Sequence, residues 1–82
     1  MEFKIVGIKL ENRNETAVRV QNTLTEYGCY IKIRLGLHNL NEQVCSQNGL
    51  ILLELVAKNN IIDEFLEKLN SINGTTAKKM FI

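Results

Sequence analysis

The sequence predicts an α+β fold: a four-stranded antiparallel sheet with two helices on one face, in the ferredoxin-like βαββαβ order. Two observations carry this. The runs FKIVGIKL, YIKIRLGL, LILLELVA and TAKKMFI read as strands. Helix-like stretches separate the first run from the second and the third from the fourth. Short connections and right-handed crossovers then place strands one and three in the centre and strand two at an edge. Folds of this kind host many unrelated activities, so function has to be read from sites.

The first strand, about residues 3–10, alternates, with Val6, Ile8 and Leu10 on one face and Ile5, Gly7 and Lys9 on the other. Asn12 and Glu15 resemble a capping box. Ala17, Val20, Leu24 and Tyr27 follow at helical spacing. Gly28 suits the left-handed residue that ends a helix. The second strand, about 30–38, is expected to turn Ile31, Ile33, Leu35 and Leu37 to the core. Tyr30, Lys32, Arg34, Gly36 and His38 then form its wet face. The third, about 50–57, is apolar on both faces except at Glu54, the pattern of a central strand. Asn60 is a candidate cap for the second helix, whose buried stripe is Ile62, Phe65, Leu69 and Ile72. Asn73-Gly74 marks the turn into the last strand, where adjacent Lys78 and Lys79 leave the facing open.

The chain of 82 residues is read as one domain, 1–82. So small a domain buries only about 60% of its unfolded surface. The chain is 45% hydrophobic and has no disulfide set or zinc cluster to staple it, so self-association is expected to supply the missing burial. The net charge of +1 gives no basic footprint for nucleic acid. No run approaches the roughly 18 apolar residues of a membrane span. The start, MEFKIVGIKLEN, reads as a strand rather than a signal peptide. Cys29 and Cys45 suit reduced thiols. The expected location is therefore cytoplasmic, with neither membrane nor direct nucleic-acid partners.

Residues paired across strands share a face. With His38 near Leu50, Arg34 lies opposite Glu54; a slip by two puts Lys32 there. Either register gives Glu54 a basic neighbour, worth roughly 0.2–1 kcal/mol. Ile5, Gly7, Leu50, Leu52 and Val56 share that face. An uncovered apolar patch usually marks an interface. Ile5, Leu50, Leu52 and Glu54 are therefore the expected interface residues of a homo-oligomer, a dimer or tetramer.

The connection HNLNEQVCSQNG is long for a hairpin and holds the chain's one histidine, His38, with Cys45. Imidazole and thiolate suit zinc, copper and nickel, and Glu42 could add an oxygen. Two ligands match no closed metal motif, so a second subunit would have to complete such a site. Strand rise puts Cys29 about 30 Å from His38, too far to help within one chain. A plain polar loop or a contact with a small ligand is the alternative, and Lys32 and Arg34 could hold an anion. No histidine relay, glycine-rich phosphate loop or spaced carboxylate pair is present, so a non-enzyme is expected.

The stretches KIVGIKLENRNETAVRVQNTLTEYG, IKIRLGLHN, GLILLELV and FLEKLNSINGTTAKKM resemble small bacterial proteins known as iron-only hydrogenase system regulators. Those proteins are similar to the ACT-like C-terminal ligand domain of the nickel-responsive repressor. The resemblance implies an ACT-like sandwich, self-association through sheets and a regulatory role. In the repressor, nickel is held partly by a histidine late in the second strand and a cysteine just before the third; His38 and Cys45 stand in comparable places. The repressor's additional metal histidines have no counterpart, and its DNA-binding segment is missing, so a transcriptional role would need a protein partner. The first loop, ENRNE, lacks the glycine turn by which many ACT domains bind amino acids. The expected function is a small oligomeric sensor, a hydrogenase-system regulator by resemblance. It would bind a small ligand or a divalent transition metal near residues 38–49, through His38, Cys45, Arg34 and Lys32, with no other cofactor implied. The alternative is a non-catalytic structural or protein-interaction subunit that binds no ligand.

Overall fold

A computed structural model of the protein describes residues 1–11, 14–37 and 48–82. Its elements run β1 (Lys4–Glu11), α1 (Asn14–Glu26), a 3₁₀ turn (Gly28–Tyr30), β2 (Ile31–Leu37), β3 (Asn48–Leu55), α2 (Asn59–Asn70) and β4 (Thr75–Phe81). The sheet order is β2-β3-β1-β4, and every pairing is antiparallel. This is the ferredoxin-like, ACT-like βαββαβ arrangement that the sequence predicts, with β1 and β3 central.

The alternation of β1 sets the two faces. Val6, Ile8 and Leu10 point to the helices and are buried. Leu53 and Leu55 join them from β3, and Ala77 from β4. The helices close this side with Val20 and Leu24 from α1 and with Ile62, Phe65 and Leu69 from α2. Phe65 is fully buried and meets the Tyr27 ring at a centroid distance of 4.8 Å, tilted by 44°. That arrangement is favourable for aromatic quadrupoles.

Three local expectations are corrected. Gly28 does not end α1 in the left-handed region; among the described residues Gly74 is the glycine with positive φ, at 85°. The chain leaves α1 through the 3₁₀ turn instead, where the Tyr30 N–H donates to the Tyr27 carbonyl at 3.0 Å. Asn60 does not cap α2. Lys58 holds the cap position with extended backbone, and its carbonyl accepts from Ile61 and Ile62 at 3.0 and 3.1 Å. In α1 the buried stripe is Thr16, Val20 and Leu24, with Ala17 only half-buried. Thr16 tolerates burial because its hydroxyl donates to the Asn73 carbonyl at 3.3 Å. Asn12 lies outside the described residues.

The two sheet edges differ. On β4, the Ala77 N–H donates to Asn70 Oδ1 at 2.8 Å, and Asn70 Nδ2 donates to the Ala77 carbonyl at 3.0 Å. One carboxamide thus stands where the backbone of a fifth strand would bind. On β2, the register shifts between Ile31 and Ile33, which places Lys32 in an irregularity. Arg34 is tied to α1 by a 2.7 Å bond from its Nη2 to Gln21 Oε1.

Candidate functional site

With helices on one face, the other face of the sheet is left open. The register lays it out in rows across β2, β3, β1 and β4. One row is Ile33, Glu54, Ile5 and Met80. The next is Leu35, Leu52, Gly7 and Lys78. Beyond the first row, Phe3 and Ile82 exchange backbone hydrogen bonds of 2.6 and 2.9 Å. Alternation puts both side chains on this face, with Val56 alongside. Phe3, Ile33, Leu35, Leu50, Val56, Met80 and Ile82 are all exposed. The opposite corner is polar: Lys9, Glu11, Gly74, Thr75 and Thr76 line a shallow hollow there.

The expected interface residues Ile5, Leu50, Leu52 and Glu54 therefore share one face, as the sequence predicts. The expected facing of β2 is corrected. Arg34 pairs with Leu53 and turns toward the helices, whereas Ile33 stands opposite Glu54. The shift at Lys32 is the physical reason: one extra residue moves every later side chain to the other face. Ile33 and Leu35 consequently lie on the open face, half exposed at 53% and 50%, and strict alternation misses them. Glu54 does gain its basic neighbour. Lys32 Nζ lies 3.8 Å from Glu54 Oε2, with the glutamate side chain only 15% exposed. Lys32 and Arg34 thus serve different faces and do not converge on one anion. His38, Glu42 and Cys45 lie outside the described residues. Cys29 sits exposed in the 3₁₀ turn, before β2, while His38 follows its far end.

Among the described residues no three His, Cys, Asp or Glu side chains are grouped as metal ligands, and no helix is long and apolar enough to cross a membrane. Among the described residues the strongest perturbation of ionisation lies on the helix side. Lys68 Nζ donates to Glu26 Oε1 at 2.7 Å and lies 5.2 Å from the Tyr27 ring centre. Those contacts raise the Lys68 pKa. Burial raises the Tyr27 phenol, and the neighbouring ammonium opposes that. This cluster joins α1 to α2 and is structural.

No family model and no curated protein matches the chain. Solved structures do. The uncharacterized protein TM1266 from Thermotoga maritima is 25% identical with a TM-score of 0.86, over 100% of this chain and 99% of that one. The ACT domain from the GTP pyrophosphokinase of Chlorobium tepidum is 13% identical with a TM-score of 0.74, over 98% of this chain and all of that one. CPII from Thiomonas intermedia K12, a nitrogen regulatory PII-like protein, is 16% identical with a TM-score of 0.62, over 100% of this chain and 90% of that one. The chain has the ACT-like form of the ferredoxin fold.

Proposed function

We propose that the chain is a non-catalytic regulatory module. It assembles with copies of itself and takes a small ligand at the connection between β2 and β3. The observation that carries this reading is the open sheet face. A central β1–β3 pair with helices on one side leaves an apolar surface that water covers poorly. A surface of that kind joins modules, and joining modules brings the connections between their strands together. The solved structures of like fold are in keeping with such a role. CPII was solved bound to ADP, AMP and acetate, and another match is the regulatory subunit of an aspartate kinase from Thermus thermophilus. The hydrogenase-system role rests on the sequence resemblance, and a cytoplasmic location goes with it.

A metal is the sharper version of the ligand. The donors in the chain fall short of the repressor's nickel set, because His38 and Cys45 supply two per subunit. Tetrahedral coordination needs four, so a second copy would have to contribute its own pair. Native mass spectrometry and titration of reduced protein with zinc, nickel and cobalt test this, repeated on a His38→Ala, Cys45→Ser variant. Micromolar binding that disappears in the variant is the expected result. Equal binding by the variant removes the metal. ADP and AMP form the second arm of the same titration. If the protein binds none of these, the ligand reading falls and the chain is an interaction subunit.

A further inference from the structure

We propose that β2 has two registers on β3, one residue apart, and that the choice between them decides what the open face presents. In the first, the one described above, Ile33 and Leu35 lie on that face. In the second, the extra residue at Lys32 is taken up and the rest of the strand turns over. Lys32 and Arg34 then lie on the open face, and Ile33 and Leu35 turn to the helices.

The pairing shows how little separates the two. Ile31 stands opposite Leu55 and Ile33 opposite Glu54, so one residue of β2 is spare. Continuing the first pair without a spare residue puts Lys32 opposite Glu54, Ile33 opposite Leu53, Arg34 opposite Leu52 and Leu35 opposite Ile51. A slip of one residue moves every side chain to the other face. β2 is an edge strand, so β3 is the one strand that sets its register.

The contacts that hold the first register are slight. Ile33 and Leu35 are half exposed. Arg34 is exposed on the helix side and held by its bond to Gln21. Lys32 reaches Glu54 only at 3.8 Å.

The second register has room on the helix side. Gly36 stands opposite Ile51 there, and a Cβ at Gly36 would meet nothing within 4 Å. Leu35 would take that place, against the half-buried Ile51. The antiparallel pairings make β2 run opposite to α1. Val18, one turn before Gln21, therefore lies on the Gly36 side of the Arg34 bond, and it is 58% exposed. An apolar strand face beneath it would help to cover it. Ile33 would meet Leu53, a core residue. On the open face Lys32 would stand directly opposite Glu54, with Arg34 within diagonal reach.

The regulatory consequence follows from burial. An apolar cover over the open face buries Ile33 and Leu35 where they are and selects the first register. With the face uncovered, the second register removes them from water. A cover thus selects a register, and the register admits or refuses a cover.

Disulfide trapping tests this on the full chain, with Cys29→Ser and Cys45→Ser throughout. Oxidised glutathione is added to reduced protein, and monomer with an internal bond is counted on non-reducing gels. Leu35→Cys with Leu52→Cys reports the first register, where the two positions lie opposite. Arg34→Cys with Leu52→Cys reports the second. In the first register those side chains point to opposite faces, and a disulfide needs Cβ atoms that converge. Arg34→Cys with Leu50→Cys matches neither register and measures bonds made through local opening. Both reporters should close about tenfold faster than this control, or more. Leu35→Lys is tolerated on the exposed face but puts a charge under α1 in the second register. Added to the Arg34→Cys, Leu52→Cys pair, it should slow closure about tenfold or more. A second-register reporter that closes no faster than the control overturns the proposal. So does one that ignores Leu35→Lys.

Discussion

Thr75 shows how a single atom can sit against its surroundings. Its hydroxyl is buried on the helix side of β4 and has no hydrogen-bond partner among the described residues. An unsatisfied buried hydroxyl costs about 1–3 kcal/mol. Thr75→Val keeps the shape and the strand preference while removing that atom. The variant should be more stable by about 1 kcal/mol, read from the urea midpoint; a lower midpoint would mean that the hydroxyl is satisfied. Tyr27 gives a pH test. Its phenol is raised by burial and Lys68 by its bond to Glu26, so both hold their protons better folded than unfolded. Their contribution is complete below the unfolded values near 10 and is lost as pH rises through the folded ones. Melting temperature should fall above about pH 10, and Tyr27→Phe should flatten that fall. The Asn73-Gly74 turn was legible because a dipeptide of that kind states its backbone need directly. Burial of Thr16 rather than Ala17 was not. Both fit the helical spacing, and the deciding partner, the Asn73 carbonyl, comes from the other end of the chain.

At the scale of elements, central strands were easier to read than edges. β1 and β3 are constrained on both sides, and their alternation matches the register residue by residue. Ile5, Leu50, Leu52 and Glu54 were therefore placed correctly on one face. β2 is constrained on one side only, and the shift at Lys32 reverses its facing. An irregularity of this kind leaves no mark in the pattern of apolar residues, because β2 carries an apolar residue on each face. This ranks two substitutions. Lys32→Ala breaks a long, 3.8 Å contact whose cation is more than half exposed, and should cost about 1 kcal/mol or less. Leu53→Ala empties a fully enclosed core site and should cost about 2–5 kcal/mol. Chemical denaturation of both checks the order; a Lys32 effect as large as that of Leu53 would show that the cation holds the shape of the strand.

For the whole molecule, the balance is set by size. A chain of 82 residues closes one core and leaves one sheet face uncovered. Its stability should then depend on how many copies are present. Melting temperature is expected to rise with protein concentration across the micromolar range, as it does whenever only the folded form associates. A melting temperature that ignores concentration would count against assembly. The fold was legible at this scale because apolar run order, connection length and crossover handedness all agree. The ligand was not, because two candidate donors constrain coordination too little to name it.

The Asn70 carboxamide has a further consequence, in time rather than in space. It holds Ala77 through one donated and one accepted bond. Asparagine can lose its side-chain amide spontaneously and become aspartate, and only the accepted bond survives that change. The donor to the Ala77 carbonyl becomes a carboxylate oxygen facing another oxygen, and the edge of β4 is released. Old protein should then differ from fresh protein in one respect above all: it should seed fibres. Storage at mildly alkaline pH, followed by mass spectrometry of residue 70 and a thioflavin assay, checks this. Asn70→Asp should behave from the outset as aged wild type does. Fibre-free Asn70→Asp protein would show that the edge stays shut without the amide.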